Sequence, residues 1–384
     1  MDILELEPLD VFSIRSARPF DVGGVVHADF VWPPPAWTVV GALRGVLAEL
    51  LGLPAVEYGR AGSNHPRFAN VVDRIGKPDG PAKFVIGPAL VLDVETQSLR
   101  WPVPADVFAV REGTLKLRRL RATLLPRECQ CNFKQGRTCV LAPPSDLSAH
   151  PEKSLPLRAF DSGLLLEWLS GKETLELGAR SAQDSSPDFF TEPRIGICMD
   201  STANTVREGL FYMRSAVQLA LGRSLAVPLL DRGDGLPWEA LQGQVARFGA
   251  DGHLVRLRPP RPFNLPPAPG DRPLKRARIL CAAPIHPGDL DNIEVEGHQV
   301  RVLAVAAGKP VRIGGWRLLT VRRNGAEVEQ GPRTLRTYYP AGTVLYVESD
   351  GDLRKLHGQN LAQCEEERAA GFGFALVGQW PEQV

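Results

Sequence analysis

Three closely spaced thiols, Cys129, Cys131 and Cys139, are the densest set of chemically capable side chains in this chain. With a fourth donor such as His150, three thiolates can hold a tetrahedral zinc. The first two are separated by one residue rather than two, and no second cysteine pair follows. Ordinary free thiols in an inserted segment are therefore the expectation, and no cofactor is expected. Cys198, Cys281 and Cys364 stand apart and read as isolated, partly buried positions. None of the seven histidines (His27, His65, His150, His253, His286, His298, His357) lies in H-E-x-x-H or another paired metal spacing. No G-x-S-x-G elbow and no G-x-x-x-x-G-K-[ST] loop is present. Asp289 and Asp291, in a Gly-Pro context, read as a solvated turn. No set of residues makes a catalytic constellation, so a non-enzymatic role is expected.

The basic residues say more. Arg111, Lys116, Arg118, Arg119 and Arg121 surround Leu115, Leu117 and Leu120, as either a solvated face or a phosphate-contacting strip. Lys275, Arg276 and Arg278 form a second, weaker cluster, and Arg15 and Arg18 stand where the first expected strand runs into its loop. Gly371, Gly373 and Gly378 have the wrong spacing for a dinucleotide fingerprint, and they follow a helix rather than a strand. Two readings of Gly371-Phe372-Gly373 stay open. It is a helix stop with a tight turn, or a side-chain-free stretch whose backbone N–H groups face a phosphate backbone.

Elements must position these residues. At 384 residues the chain is too long for one ordinary core, and two domains are expected. A hydrophobic fraction of 43% and a charged fraction of 23% are those of a globular protein. A protein that coats long nucleic acid is usually more basic than the net charge of +1, whereas one that grips a short strand need not be, so charge alone neither proves nor excludes an RNA role. No apolar run is long enough for a membrane span, and the acidic Met1-Asp2-Ile3-Leu4-Glu5 start is unlike a secretion signal. Reduced thiols and a cytoplasmic location are expected.

The first strand is expected at Val11 to Arg15. The clearest helix follows Pro33-Pro34-Pro35, capped by Thr38, with Val39, Val40, Leu43, Val46, Leu47, Leu50 and Leu51 near helical spacing and Gly52 and Pro54 as stops. Gly41 in its first turn is expected to admit another backbone. Residues 102 to 158 read as irregular. Asp161 or Ser162 caps a short helix to Leu169. Arg194 to Met199 and Glu208 to Leu221 read as two strands of a hairpin with a polar tip at Asp200 to Thr205. A helix is expected from Trp238 to Phe248, and a last one from an Asn360 cap to about Ala370, before a final strand to Trp380. Strands and helices do not alternate strictly, which favours an α+β fold.

Several stretches together resemble one family. They are Ser13-Ile14-Arg15-Ser16-Ala17-Arg18-Pro19-Phe20 with Gly23-Gly24; Phe30-Val31-Trp32 through Gly41-Ala42-Leu43-Arg44; Glu192-Pro193-Arg194-Ile195-Gly196-Ile197 with Glu208-Gly209-Leu210-Phe211-Tyr212; Gly314-Gly315-Trp316; Pro340 to Tyr346; and Gly371 to Trp380. Their order and combination are similar to the third subunit of the Cmr-type (type III-B) CRISPR effector complexes, in the repeat-associated mysterious protein superfamily. The resemblance implies two ferredoxin-like (RRM-like) lobes, divided here at 1–208 and 209–384, a protruding thumb hairpin at about 194–212, and a Gly-rich loop before the last strand. It implies an antiviral-defence subunit similar to the Cas5-type caps of other CRISPR complexes. Such a subunit binds the 5′ tag of the guide RNA, docks the large polymerase-like subunit and a backbone subunit, and meets target RNA indirectly. Carried onto this sequence, the RNA contacts are Arg15, Arg18 and Arg44 in the N-terminal lobe, Arg194, Asn204, Thr205 and Arg207 on the hairpin, and Gly371, Phe372 and Gly373 in the loop. Arg44 is equally suited to tying helix to sheet. The rival is a guide-processing endoribonuclease of the same superfamily, with His27 as its general acid–base candidate.

Overall fold

The structure is a computed structural model of the chain. It describes residues 1–14, 27–28, 31–61, 69–78, 80–112, 114–124, 139–147, 150–152, 155, 157–177, 187–200, 205–249, 252–317, 321–323, 326–328 and 331–380. The fold is α+β with several antiparallel sheets. It divides into two units, each assembled from three segments. One holds Met1–Glu95, Asp188–Pro262 and Arg312–Arg336; the other holds Thr96–Pro187, Phe263–Val311 and Thr337–Val384. The sequence reading instead cuts the chain once, after residue 208. The interleaving arises because sheet partners lie far apart in the chain: Asp2 pairs with Leu229.

In the first unit the strands run in the order Leu90–Asp93, Arg223–Asp231, Asp2–Pro8, Leu254–Leu257, Val245–Arg247. Every pairing among them is antiparallel. The first strand is Asp2–Pro8, not Val11 to Arg15; of the latter, Phe12 makes one isolated bridge, to Val217. Leu4 and Leu6 are buried, while the intervening acids find partners, Glu5 with Arg258 and Glu7 with Arg256 and Arg258. Glu5 and Glu7 are thus paired across the sheet.

The helix Ala36–Leu50 buries Val39, Val40, Leu43, Val46 and Leu47. Burial of each such side chain stabilises by about 1.5–3 kcal/mol. Its cap is Pro35 rather than Thr38, whose own N–H donates to the Pro35 carbonyl at 2.9 Å. Gly41 is exposed with open space where a Cβ would stand, so no close approach explains it. The expected helix at 238–248 is a short 3₁₀ turn, Trp238–Leu241, followed by the strand Val245–Arg247.

In the second unit the order is Arg301–Ala306, Thr343–Glu348, Arg276–Cys281, Ala375–Gln379, again all antiparallel. One face packs Ile279, Leu345, Val347 and Val377 against Leu290, Ile293, Leu353 and Leu356. The other carries Arg278, Tyr346 and Gly378 toward Trp168 of the helix Ser162–Leu169. That helix starts as expected, with the Asp161 carboxylate accepting from the Leu164 N–H at 2.8 Å. Part of the 102–158 segment is ordered sheet rather than irregular chain: Val107–Glu112 pairs with Thr114–Arg119, and Arg121–Leu124 with Cys139–Ala142. The last helix is only Glu365–Ala370. Asn360 does not cap it; its amide instead donates to the Arg368 carbonyl at 2.7 Å.

Candidate nucleic-acid interface

The sequence-predicted hairpin is present and longer than expected. Phe189–Asp200 pairs with Thr205–Leu219, in register from Phe189↔Leu219 to Ile197↔Phe211, with a shift before Met199↔Val206 and Asp200↔Thr205. Strands of this length extend roughly 40 Å. Its root is held firmly. Ala216 and Val217 are buried, Phe12 and Val217 exchange backbone hydrogen bonds of 2.9 and 2.7 Å, and Phe189 lies against Trp32 with ring centroids 4.2 Å apart. A long two-stranded ribbon needs such an anchor, because an isolated hairpin is marginal in water.

Beyond the root the character changes. Thr191, Glu192, Pro193 and Ile195 are exposed, Ile195 to 65%. Arg194 stands directly opposite Arg214 across the two strands. Like charges at facing positions repel, and Glu192 lies 3.4 Å from the Arg194 Nε as a counter-charge. Met213 and Arg214 also pair with His27 and Ala28, which form a short parallel strand. Nearby, the strand 245–247 turns back through Gly249 and Gly252 to His253, whose carbonyl accepts from the Phe248 N–H at 2.7 Å. Burial and then the Arg214 charge hold the His253 imidazole below its ordinary pKa, with Asp10 pulling the other way and Arg194 adding a smaller push. This ring is therefore neutral at physiological pH. Arg214 and His253 were not among the sequence candidates. A lone histidine and an arginine inside a strand give no local signal.

The other candidates separate clearly. Arg15, Arg18 and Asn204 lie outside the described residues, as do Cys129 and Cys131. The bracketing residues of the first pair are described: the Ile14 carbonyl accepts from the Val31 N–H at 3.1 Å, and the Ser13 hydroxyl donates to the Ser215 carbonyl at 3.2 Å. Thr205 is exposed at the start of the second hairpin strand, and Arg207 lies on the same strand. Arg44 is buried and ties its helix to the 78–80 loop, donating to the Gly80 carbonyl at 2.7 Å and to that of Pro78 at 3.4 Å. Cys139 is buried, and no cluster of three metal-ligating side chains exists among the described residues.

The phosphate-facing reading of Gly371-Phe372-Gly373 is overturned by its hydrogen bonds. Its three N–H groups donate to the carbonyls of Arg368, Glu367 and Pro284 at 3.2, 3.1 and 2.9 Å. Phe372 is buried against Tyr338, and Gly371 and Gly373 both adopt positive φ. This is a helix stop folded into the core, with its amides committed internally.

The arginines of the basic strip make ion pairs and hydrogen bonds within the fold. Arg118 meets Asp146 at 3.2 Å, Arg121 meets Glu173 at 2.8 Å, and Arg111 meets Glu152 at 3.2 Å. Arg119 is buried, donates to the Gly171 carbonyl at 3.0 Å, and is lowered to about 10 by burial and the neighbouring Arg278 charge. Arg278 is fully buried against Asp106 at 3.0 Å, and Arg276 meets Glu348 at 3.3 Å. Asp289 is buried rather than solvated. Burial and the Glu367 charge raise its pKa, although backbone N–H groups oppose the shift.

The family model for CRISPR-associated protein (Cas_Cmr3) matches residues 4–380. No curated protein matches the chain. Among solved structures, the chain is similar to one of the type III-B Cmr-beta bound to cognate target RNA and AMPPnP. The identity is 14% and the TM-score 0.45, over 90% of this chain and 86% of that one. A similar match, at 15% identity and a TM-score of 0.44 over the same shares, is to the type III-B Cmr-beta bound to cognate target RNA. A third is to the Csm3-Csm4 subcomplex in the type III-A CRISPR-Cas interference complex, at 10% identity and a TM-score of 0.39 over 100% of both chains.

Proposed function

The chain belongs to the CRISPR-associated Cas_Cmr3 family, and from that membership we propose that this type III-B effector subunit holds the 5′ tag of the guide RNA and performs no chemistry of its own. The observation that carries the proposal is the anchored hairpin, with its facing Arg194–Arg214 pair beside exposed Ile195. Arginines bind phosphates through planar N–H forks. An apolar side chain next to them inserts between unstacked bases of a single strand. In this reading the hairpin is the thumb, and it kinks the guide after the tag.

Both units order their four main strands as second, third, first, fourth in chain order. The first and second strands therefore run parallel, with the third between them. That arrangement supports the reading of each unit as a ferredoxin-like lobe. The second lobe's sheet is packed on both faces, so an RRM-like stacking platform is not assigned to it. The remaining surface is assigned to the large polymerase-like subunit and to a backbone subunit.

The test is co-purification. The effector assembled with wild-type subunit should retain RNAs sharing one 5′ end. A variant with Arg194 and Arg214 both changed to Ala should retain at least about tenfold less, the loss expected for charge-assisted hydrogen bonds of about 1.5–3 kcal/mol. Equal retention would remove the hairpin from the RNA site. Incubation of the isolated chain with repeat RNA should give no specific cleavage; cleavage lost in His27→Ala would favour an endoribonuclease instead.

A further inference from the structure

The second unit contains a cleft of about 780 Å³, and all of its lining residues lie between Asn292 and Arg368. That volume is in the range of pockets that enclose one small molecule. The floor is apolar. Ile293, Val295, Leu356 and Leu361 line it, and the same four side chains belong to the packed core on that side of the sheet. Close packing therefore holds the floor in place.

Two segments frame the cleft. In the first, the Glu296 carboxylate meets the Lys355 ammonium at 2.5 Å and accepts from the Asp352 N–H at 2.9 Å. In the second, the Leu361 N–H donates to the Gly373 carbonyl at 3.1 Å, and the Asn360 amide donates to the Arg368 carbonyl at 2.7 Å. Gly373 packs on this second segment, since a Cβ there would stand 3.2 Å from the Ala362 nitrogen. The Gly371-Phe372-Gly373 turn thus supports the cleft while its amides stay internal.

The Glu296–Lys355 pair satisfies itself. The exposed side chains of Glu294, Gln359 and Arg368 also line the cleft, and among the described residues they have no hydrogen-bond or ion-pair partner. A guanidinium takes a phosphate through its planar N–H fork. A primary amide offers a donor and an acceptor to the edge of a base. A carboxylate accepts from an exocyclic amine and repels a phosphate, so the base end belongs at Glu294 and the phosphate end at Arg368. An aliphatic side chain from a protein partner would use the floor and leave all of these groups unmet.

We propose that this cleft takes one unstacked nucleotide of a single RNA strand, with an amino-bearing base on the apolar floor beside Glu294 and Gln359 and its phosphate on Arg368. That the nucleotide belongs to a guide rests on the RNA-holding function above. The nucleotide site itself rests on the cleft.

The test titrates the full chain with cytidine 5′-monophosphate at low ionic strength and follows isoleucine methyl groups by NMR. The Ile293 signal is identified by its loss in Ile293→Val. It should shift and saturate with a Kd of about 1 mM or tighter. Uridine 5′-monophosphate, which has a carbonyl where cytidine has its amine, should bind roughly tenfold more weakly, and Glu294→Gln should narrow that difference. Arg368→Ala should weaken cytidine monophosphate roughly tenfold. Arg368→Gln serves the same comparison should the first variant fold poorly. An Ile293 signal that stays still to about 10 mM overturns the site. So does an equal response to inorganic phosphate alone, equal binding of the two nucleotides, or undiminished binding in a folded Arg368 variant. A still signal together with loss of a protein subunit from the effector carrying Arg368→Ala would give the cleft to a protein instead. Random RNA 5′ ends in the wild-type complex would defeat the guide-holding function, and the nucleotide titration would still decide the cleft.

Discussion

Replacing Asp106 by Ala should come close to unfolding the second unit. Asp106 is fully buried and accepts three hydrogen bonds, from Trp168 Nε1 at 2.9 Å, Arg278 Nη1 at 3.0 Å and the Tyr346 hydroxyl at 3.0 Å. Arg278 is also fully buried, and its guanidinium lies 4.2 Å from the Trp168 ring centroid. The desolvated pair contributes little net stability against apolar residues of the same shape, but breaking it leaves a buried charge and costs about 3–5 kcal/mol. The Trp168 and Tyr346 donors add about 1 kcal/mol or more each if left unmet. These losses overlap, so a destabilisation of about 4–6 kcal/mol follows, against a total of about 5–15 for a native protein. At about 2–4 °C per kcal/mol for a unit of this size, the transition drops by roughly 8–24 °C. Differential scanning calorimetry and urea titration of the full chain would measure it. The discriminating variant is Asp106→Leu with Arg278→Met, which should be more stable than Asp106→Leu alone. A loss under about 1 kcal/mol in Asp106→Ala, or a double variant worse than the single, would refute the reasoning.

Other outcomes follow from the same structure. Gly373→Ala should destabilise by roughly 1–2 kcal/mol, because φ is +69° and a Cβ would stand 3.2 Å from the Ala362 nitrogen; an unchanged urea midpoint would contradict this. Gly378→Ala should cost about 1–3 kcal/mol by overpacking, since its Cβ would lie 2.8 Å from Trp168 Cζ3. Asp289 has a raised carboxyl pKa in the fold, so its contribution is present at low pH and lost as pH rises through that pKa. Asp289→Asn should therefore stabilise at pH 7, with the advantage fading toward pH 4 in thermal melts. His357 accepts from the Val377 N–H through Nδ1 and donates to the Pro266 carbonyl through Nε2, and burial lowers its pKa below 6.5. The unfolded chain takes the proton first, so stability should fall as pH drops below about 6.5, and His357→Gln should flatten that slope.

Legibility in the sequence varied with how local each interaction was. The hairpin was readable because its polar tip sits between two apolar runs, and the Asp161 cap because it acts within three residues. The basic strip stayed open between two readings because its ion-pair partners are distant: Arg118 reaches Asp146 and Arg121 reaches Glu173, across 28 and 52 residues. The Gly371-Phe372-Gly373 turn was half readable. Its helix-stop role is local, but the carbonyl of Pro284 that takes the last amide is not. The interleaved units were illegible because strand pairing, not chain order, decides which segments share a core. The shifted His253 was illegible for a related reason, since burial and then the charge of Arg214 on another strand act on it. The family, by contrast, was legible from motifs whose positions in the fold the sequence did not reveal.

The most direct measurement is sequencing of the RNA 5′ ends carried by the effector complex, purified with either the wild-type subunit or the Arg194→Ala, Arg214→Ala variant. The account predicts one shared 5′ tag in the wild-type complex and a loss of that RNA of at least about tenfold in the variant. Random 5′ ends in the wild-type complex, or an undiminished tag in a folded and assembled variant, would contradict it.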